Sequence, residues 1–451
     1  MTRRYLTVLS TTLVLLLCVC SVQAAEPSDG KPQAKLIYVK TGKLFDGLGE
    51  TLRENMTIIV ENERIKEIVP TQQASVPVGV AVLDLSKAVV LPGLIDCHVH
   101  LGSPADRPDD LYQFERTSQI DAIYGVINAK KTLLAGFTAV RQFGGSPFVG
   151  VDLRNSIDRG LIQGPRIITS GPNITMTGGH SDFNGYPYTT RLREEYRPFF
   201  IADGVDEMRR VVRTQIKYGA DVIKMIGTGG VMSNADNPNS TQYSFEEIKA
   251  GAETAHRAGR KLAVHAHSAQ GIKDAILAGA DSVEHASFAD PDGLRLAIEH
   301  GTYFVMDIYN DDYILAEGKK NGMPADQIEK EKGVGHLQRE TFTKALKAGV
   351  KLAFGTDAGM YPHGDNAKQF DTMVRFGMTP AQAIKAATVN AADLLGRSKD
   401  FGSIEPGKFA DFIAVEGDPL KDVRLLENVG FVMKGGKVYK DQIASSPIET
   451  W

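Results

Sequence analysis

The sequence predicts an α/β fold in which a (β/α)8 TIM-like barrel is joined to a small β-sandwich built from both chain ends. Eight apolar, strand-like segments alternate with segments whose apolar residues recur at the three- and four-residue spacing of helices. Short β-branched strand patterns flank this alternating region on both sides. With 451 residues, 42% of them hydrophobic, the chain can bury a barrel-sized core and a smaller one beside it.

The first residues predict a secretory signal peptide covering residues 1–25. Arg3 and Arg4 precede an apolar run from Tyr5 to Cys20, and small residues follow as far as Ala24 and Ala25, near which we expect cleavage. The mature protein is therefore expected to be exported, either to the periplasm or out of the cell. Because no later apolar run approaches this length, we expect no membrane span in the mature chain.

Charge and cysteine content limit the partners that the chain can have. A net charge of −4 without strong runs of either sign argues against nucleic acid or an anionic membrane and favours a small-molecule substrate. Only Cys97 remains after cleavage, which excludes an intrachain disulfide. Stability must then come from the core or from a metal. We also expect a homo-oligomer.

The two chain ends carry the predicted β-sandwich. Residues 35–88 contain short strands with alternating β-branched residues, separated by predicted turns at Asp46-Gly47 and Glu61-Asn62. Residues 397–441 repeat this pattern. The simplest arrangement is a single sandwich to which both ends of the chain contribute.

Residues 89–396 form the predicted barrel. The first strand candidate is the apolar run from Val89 to Leu101, and seven others begin at residues 138, 166, 222, 262, 282, 303 and 352. Helical patterns cover residues 120–135, 205–218, 245–257 and 337–346. Such alternation favours a (β/α)8 barrel. A doubly wound open sheet is the alternative, but no glycine-rich dinucleotide-binding motif supports it.

Ionisable side chains fall at the C-terminal ends of these strands, where a barrel builds its active site. His98 and His100 end the first strand, and at a spacing of two residues they face the same side. Lys224 lies among apolar neighbours in VIKMIG, where an ammonium group is costly to bury. The other members of this set are His265, His267, His285 and Asp357. Each has an ordinary structural explanation, but their succession along eight strands favours one shared metal site.

The motifs PGLIDCHVH, VHAHS, VEHAS and FGTDAG resemble the metal-dependent amidohydrolase superfamily over nearly all of the mature chain. More narrowly, the chain resembles the exported prolidase- and carboxypeptidase-like branch, which includes ochratoxin-hydrolysing amidohydrolases. The resemblance implies two divalent metal ions, with zinc the expected metal, and a CO2-derived carbamate on Lys224 that bridges them. The implied ligands are His98, His100, Lys224, His265, His285 and Asp357.

This implied set agrees with the chemistry of its residues. A lysine amine is a poor bridge between two cations, whereas its carbamate offers an anionic oxygen to each. One ion would take His98, His100 and Asp357, and the other His265 and His285, with a hydroxide between them. Two such ions activate water and polarise a substrate carbonyl. Asp357 would act as general base and return the proton to the leaving amine.

Further residues are predicted to contact the substrate. His267 shares a face with His265 and is expected to orient substrate, since the position of His265 in VHAHS matches the ligand of the family. His180, in the loop MTGGHSD, is expected to hydrogen-bond a carbonyl or carboxylate of the substrate. The other predicted pocket residues are Ser103, Tyr243 and His363.

The predicted function is hydrolysis of an amide or peptide bond next to a C-terminal amino acid, as in a dipeptidase or carboxypeptidase. Ochratoxin A and other N-acyl amino acids are candidate substrates within this class. A cyclic amide or imidazolone hydrolase is an alternative, and so is an exported binding protein without turnover. The presence of Asp357 beside all the other implied ligands argues for an enzyme.

Overall fold

The structure is a computed structural model that describes residues 35–105, 112–187, 189–190, 194–234 and 236–444. The predicted signal peptide, residues 1–25, lies outside the described residues. Among the helices of the described residues, none combines the length and the apolar character that crossing a bilayer requires.

The described residues form strands and helices in the alternating order that the sequence predicts between residues 94 and 394. The strands are β1 (Leu36–Leu44), β2 (Arg53–Glu61), β3 (Arg64–Pro70), β4 (Ala81–Pro92), β5 (Leu94–Val99), β6 (Phe137–Gln142), β7 (Arg166–Thr169), β8 (Val222–Ile226), β9 (Lys261–Ala266), β10 (Ser282–His285), β11 (Tyr303–Val305), β12 (Leu352–Ala353), β13 (Phe412–Val415), β14 (Phe431–Lys434) and β15 (Lys437–Asp441). The helices are α1 (Tyr112–Glu115), α2 (Ser118–Leu134), α3 (Val149–Asp158), α4 (Val205–Lys217), α5 (Phe245–Arg257), α6 (Ala269–Ala278), α7 (Pro291–His300), α8 (Asn310–Glu317), α9 (Ala325–Ala348), α10 (Lys368–Arg375), α11 (Pro380–Ala386) and α12 (Val389–Leu394).

The predicted helices are found at α2, α4, α5 and α9. The helix predicted over residues 337–346 is only part of α9, which begins at Ala325. The first half of α9 reads ADQIEKEKGVG, where apolar residues are too sparse for their spacing to reveal a helix.

Strands from both chain ends share one seven-stranded sheet in the order β15-β14-β13-β4-β1-β2-β3. β1 is parallel to β4, and the other neighbouring pairs are antiparallel. An apolar core of its own accompanies this sheet and includes Val39, Ile58, Leu85 and Phe412. The arrangement is consistent with the predicted β-sandwich and with its assembly from both ends of the chain.

Eight parallel strands lie between these ends, in two sheets of order β12-β11-β10-β9-β8 and β5-β6-β7. A parallel bridge between Ile174 and Met225 links the segment after β7 to β8. A second parallel bridge, between Val99 and Ala358, links β5 to the segment after β12. Because neighbouring strands are parallel, their C-terminal ends meet at one edge.

The apolar run predicted as one strand from Val89 to Leu101 is divided between the two kinds of sheet. β4 ends at Pro92, which pairs with Phe412 in the terminal sheet, whereas the next strand, β5, belongs to the parallel set. A Cβ at Gly93 would lie 2.0 Å from Oγ1 of Thr138, so glycine allows the backbone to approach Thr138 closely at this junction. The single-strand prediction is wrong because an apolar run does not reveal where a buried chain leaves one sheet for another.

The turn after β9 shows how local sequence positions functional side chains. The hydroxyl of Ser268 accepts a hydrogen bond from the backbone N–H of Gly271 at 3.1 Å and caps α6. Serine is a favoured residue at this position because its oxygen satisfies a free N–H of the first helical turn. The cap ends the β9 segment directly after His265 and His267.

Candidate metal centre and substrate cleft

The ionisable side chains predicted from the strand ends converge at the C-terminal edge of the parallel strands. They line a cavity of about 270 Å³. The members of this group are His98, His100, Lys224, His265, His267, His285 and Asp357. The potential ligand atoms of His265, His267 and His285 lie within 4.8 Å of one another, and so do those of His98, His285 and Asp357.

Two of these residues have a left-handed backbone conformation. The φ angle is 69° at His285 and 56° at Asp357. A non-glycine residue in this region costs about 1–2 kcal/mol. Such conformations cluster at functional sites, where the surrounding structure overrides the strain. Both side chains line the cavity. The strained backbone therefore occurs at the strand ends from which these two side chains enter the cavity.

Lys224 is the most deeply buried cation of the cavity. Its side chain is 1% exposed, and its Nζ has no hydrogen-bond partner in the described part of the chain. Nζ lies 4.5 Å from the ring centroid of Phe143. Burial lowers the pKa of Lys224 to about 8, although the charge of Glu284 raises it. An amine that loses its proton this readily can react with CO2, and a carbamate would place negative charge beside the histidines.

The histidines of the cavity are suited to bind metal. Burial lowers the pKa of His98, His265 and His267 well below its usual value. The neutral imidazole is the form that binds a metal ion. Nitrogen donors with one carboxylate are typical of zinc and related divalent ions. The donor set and the partnerless Lys224 amine therefore fit a metal centre.

Asp357 is held between two histidines. Its Oδ1 lies 2.9 Å from Nε2 of His100 and 3.4 Å from Nε2 of His98. Burial raises the pKa of Asp357, but the charge interaction with His98 and the hydrogen bond with His100 together lower it below its usual value. The ring of His100 is fixed from behind, since its Nδ1 lies 2.8 Å from the carbonyl of Phe143. An ionised Asp357 can bind a metal or accept a proton.

Glu284 is a buried carboxylate beneath His98. Its Oε1 accepts a hydrogen bond from Nη2 of Arg141 at 2.8 Å, and its Oε2 lies 2.9 Å from Nδ1 of His98. Arg141 also donates to the carbonyl of Cys97 at 2.6 Å. Sequence reasoning missed this support for His98. The sequence does contain a signal for it, because the apolar strands TAVRQ and SVEH each carry one charged residue, Arg141 and Glu284.

Asp307, on the segment after β11, supports His285 in the same way. Nδ1 of His285 lies 2.8 Å from Oδ1 of Asp307. Asp307 also accepts hydrogen bonds from Asn310 and Gln338, at 2.6 and 2.8 Å. Burial opposes both charges, but their attraction raises the pKa of His285 and lowers that of Asp307. The predicted strand YFVMDI contains this aspartate, and its charge within an apolar segment could have revealed it.

His180 reaches the cavity from the loop after β7. Its ring stacks on that of His265 with centroids 4.5 Å apart. Its Nδ1 lies 2.7 Å from the hydroxyl of Ser233 and 3.5 Å from Oδ2 of Asp236. Burial raises the pKa of Asp236, but its interactions with His180 and Ser233 lower it overall. Ser233 and Asp236 lie in a loop without periodicity, where the sequence offered no signal for their role.

The other predicted substrate contacts are distributed differently. Ser103 lines the cavity. His363 lies behind His100, whose carbonyl is 3.2 Å from its Nε2, and is not among the described residues that line the cleft. The buried hydroxyl of Tyr243 donates to the carbonyl of Ala202 at 2.9 Å, and this tyrosine is likewise absent from the described cleft lining. The contacts of these last two residues indicate supporting roles.

A second cavity of about 320 Å³ adjoins the metal-site cavity. The two linings share Ser103, Asn173, His180, Ser181, Met232 and Met360. The aromatic residues of the second lining are Phe183, Tyr186, Tyr196 and Phe200. Together the two cavities form a cleft that leads from an aromatic outer part to the histidines.

Comparison with known proteins supports these observations. A profile described as the amidohydrolase family matches residues 89–439. The chain is 36% identical over 433 residues to an ochratoxinase of Aspergillus niger, covering 90% of this chain and 87% of that protein. Among solved structures, it is similar to a Xaa-Pro dipeptidase with methionine in its active site, with 39% identity, a TM-score of 0.83, and coverage of 90% of this chain and 100% of the other. A prolidase in complex with N-methylphosphonate-L-proline shows 30% identity and a TM-score of 0.84, covering 90% of this chain and 100% of the prolidase.

Proposed function

The chain belongs to the amidohydrolase family and is a hydrolase acting on amide bonds, and we propose that it cleaves the bond next to a C-terminal amino acid by using two divalent metal ions. The observation that carries this proposal is the convergence of four histidines and Asp357 on the partnerless amine of Lys224. A cluster of buried imidazoles around one buried amine has no evident packing function.

The predicted domain boundary at residue 89 moves to residue 93, because β4 pairs with β13 in the terminal sheet as far as Pro92. We infer that residues 93–396 close as a (β/α)8 barrel and that residues 35–92 and 397–441 form the accompanying sandwich. The two parallel bridges between the eight strands support closure of the barrel. The shared sheet of the two chain ends supports the composite sandwich. We further propose that the enzyme is exported, which the N-terminal sequence supports. We also propose that it is a homo-oligomer, as expected from the sequence.

The residues of the cavity fit a pair of zinc ions. His98, His100 and Asp357 would hold one ion, and His265 and His285 the other, while a carbamate on Lys224 would contribute to both. When bound, such ions supply Lewis-acid activation of water and of the substrate carbonyl. The protein contributes the lowered pKa of His98 and His265, which favours their neutral form, and, through Glu284 and Asp307, the orientation of His98 and His285.

Asp357 is the proton carrier in this proposal. It accepts a proton from water as the water oxygen bonds to the carbonyl carbon. It then transfers that proton to the amide nitrogen as the C–N bond breaks, because an amine is a poor leaving group unless it is protonated. General acid–base assistance of this kind is worth about 10²–10⁴-fold in rate.

Two further histidines contact the substrate in this proposal. With Nδ1 of His180 facing Ser233 and Asp236, its Nε2 is left to hydrogen-bond a carbonyl or carboxylate oxygen of the substrate. The Nδ1 of His267 lies 2.8 Å from the hydroxyl of Ser287, which orients the ring within the cleft. His267 would thereby position the substrate, and Ser103, which lines the same cavity, would assist.

The proposed substrates are dipeptides and N-acyl amino acids, including ochratoxin A. The similarity to an ochratoxinase and to a Xaa-Pro dipeptidase supports this class. The aromatic outer part of the cleft is also suited to an aryl group. A cyclic amide or imidazolone would be opened without releasing an amino acid, so the products distinguish this alternative.

The test is a screen of protein reconstituted with zinc and bicarbonate against dipeptides, N-acyl amino acids, ochratoxin A and cyclic amides. Mass spectrometry should detect release of the C-terminal amino acid by the wild type. The Asp357→Asn variant, with matched metal content, should be at least about 100-fold slower. Opening of cyclic amides alone would refute the proposed substrate class, and near wild-type activity of Asp357→Asn would refute the role of this carboxylate.

A further inference from the structure

Helix α9 carries into the metal-site cavity a carboxylate that the proposed mechanism does not use. Glu331 is 5% exposed and lines the cavity together with Val334 and Gln338 of the same helix. Within the described ranges of the chain, no group hydrogen-bonds or forms an ion pair with its side chain. Burying a carboxylate without a partner is costly. In a binding cleft, such a group marks a position where a ligand supplies the missing partner.

The surroundings of Glu331 favour a positively charged partner. Burial, and after it the charges of Asp307 and Asp311, raise the pKa of Glu331 to about 8. Arg339 cannot neutralise this region fully, because it binds Asp311 at 2.7 Å and Asp312 at 2.9 Å. A positively charged group that approaches Glu331 would favour its ionised form and lower its pKa, and such a charge interaction is strong in a site of low polarity.

The neighbouring cation on α9 is also engaged elsewhere. Nζ of Lys330 lies 2.5 Å from the carbonyl of Ser233 and 3.3 Å from Oδ1 of Asp236. Lys330 therefore holds the loop that supports His180. Its ammonium group is not paired with Glu331, which faces the cavity.

The position of Glu331 along α9 indicates which part of a substrate it would meet. Gln338 donates to Asp307 beside His285, and Gln327 lines the outer cavity. Glu331 lies between them, about two turns or about 10 Å along the helix axis from Gln338. It is therefore placed between the histidines and the outer part of the cleft.

We propose that Glu331 is a specificity-determining residue that binds a positively charged nitrogen of the substrate. The proposal rests on the proposed hydrolysis of amides at the histidine and Lys224 site. An N-terminal ammonium is two bonds from the scissile carbonyl carbon, or about 2.5 Å, whereas a lysine ammonium extends about 6 Å beyond its Cα. Glu331 lies on the outer-cavity side of Gln338 along α9, and this placement favours the longer basic side chain over the N-terminal ammonium.

Matched substrate pairs test which nitrogen Glu331 binds. Alanyl-lysine against alanyl-norleucine varies a side-chain cation on the amine half, and lysyl-leucine against norleucyl-leucine varies it on the acyl half. Alanyl-leucine against N-acetyl-alanyl-leucine varies the N-terminal ammonium. We expect one lysine-containing member to be preferred by the wild type and its advantage in kcat/KM to fall about 10- to 100-fold in Glu331→Gln, as for loss of a charged hydrogen bond.

Two further variants control for charge and for folding. Glu340→Gln removes a carboxylate from an exposed position of the same helix and should leave the preference unchanged. Glu331→Lys should reverse the preference toward substrates with an acidic side chain. Because the Glu331 carboxylate has no partner to lose, Glu331→Gln should unfold at a temperature at or above that of the wild type.

A binding measurement separates this proposal from the proposed function. Calorimetry of the wild type with L-lysine and L-norleucine should show tighter binding of lysine, and Glu331→Gln should lose the difference. If no amide in the panel is hydrolysed but lysine binds in this way, the proposed function fails and the cation site stands. The cation site would be overturned by two results together. The first is that the kcat/KM ratio of each of the three substrate pairs is the same in the wild type and in Glu331→Gln. The second is that lysine and norleucine bind equally well.

Discussion

Nδ1 of His285 lies 2.8 Å from Oδ1 of Asp307, a carboxylate that the hydrogen bonds of Asn310 and Gln338 hold in turn. Through this contact, a residue on the segment after β11 orients a histidine at the end of β10. A carboxylate behind a metal-binding imidazole fixes its ring orientation and increases its basicity. In the proposed metal centre, the pair would therefore link metal affinity to a residue that need not touch the metal.

We predict that Asp307→Asn weakens zinc binding by about 10- to 100-fold, the usual effect of losing such a partner. Competition with a zinc chelator of known affinity measures the change. The matched control is Asp312→Asn, since Asp312 pairs with Arg339 and Arg375 away from the histidines. Equal zinc affinity in Asp307→Asn and the wild type would contradict the orienting role.

Lys224→Ala should lose most bound metal, because the variant lacks the amine that would carry the bridging carbamate. Metal analysis after reconstitution with zinc and bicarbonate measures the loss, and short carboxylic acids such as formate or acetate should restore part of the activity. A Lys224→Ala protein that retains two equivalents of zinc would show that this residue is not a bridging ligand.

His267→Ala should lower turnover while zinc content stays near two equivalents. The side chains of His265 and His267 both lie in the cluster with His285, so the comparison with His265→Ala decides between them. We expect His265→Ala to lose zinc. The opposite pattern, with zinc lost from His267→Ala and retained in His265→Ala, would exchange the two roles.

Asp236→Asn should reduce kcat/KM by about 10-fold or more without loss of zinc, because the ring of His180 would lose the carboxylate that orients it. Asp236→Glu, which keeps the charge, should restore part of the activity. Steady-state kinetics of protein with matched zinc content provides the measurement. Unchanged kcat/KM in Asp236→Asn would show that this carboxylate has no influence on the substrate contact of His180.

Glu331 should make the metal-free protein less stable as pH rises. Its folded-state pKa of about 8 lies above the usual value of 4.5, so the folded state binds the proton more tightly than the unfolded state. This contribution to stability is complete below about pH 4.5 and is lost as pH rises through 8. Glu331→Gln should therefore gain stability over the wild type between these limits, by about 3–5 kcal/mol at pH 8. Urea unfolding at pH 5 and pH 8 measures the difference, and a constant difference would contradict the raised pKa.

The sequence by itself identified the family, the class of reaction, and the side chains that converge at the strand ends. Strand and helix periods are local properties, and the C-terminal ends of parallel strands meet at one edge, so His98, Lys224, His265, His285 and Asp357 could be grouped before their distances were known.

Only the tertiary structure decided what supports these residues and what faces the substrate. Glu284, Asp307 and Asp236 contact histidines far from them in the chain, through strand neighbours and loops whose pairing no local pattern encodes. The division of the first apolar run at Gly93 depends on its approach to Thr138. The carboxylate of Glu331 reaches the cleft because α9 begins twelve residues before its predicted start at residue 337. Each of these features depends on contacts between distant segments, which exist only once the backbone has closed.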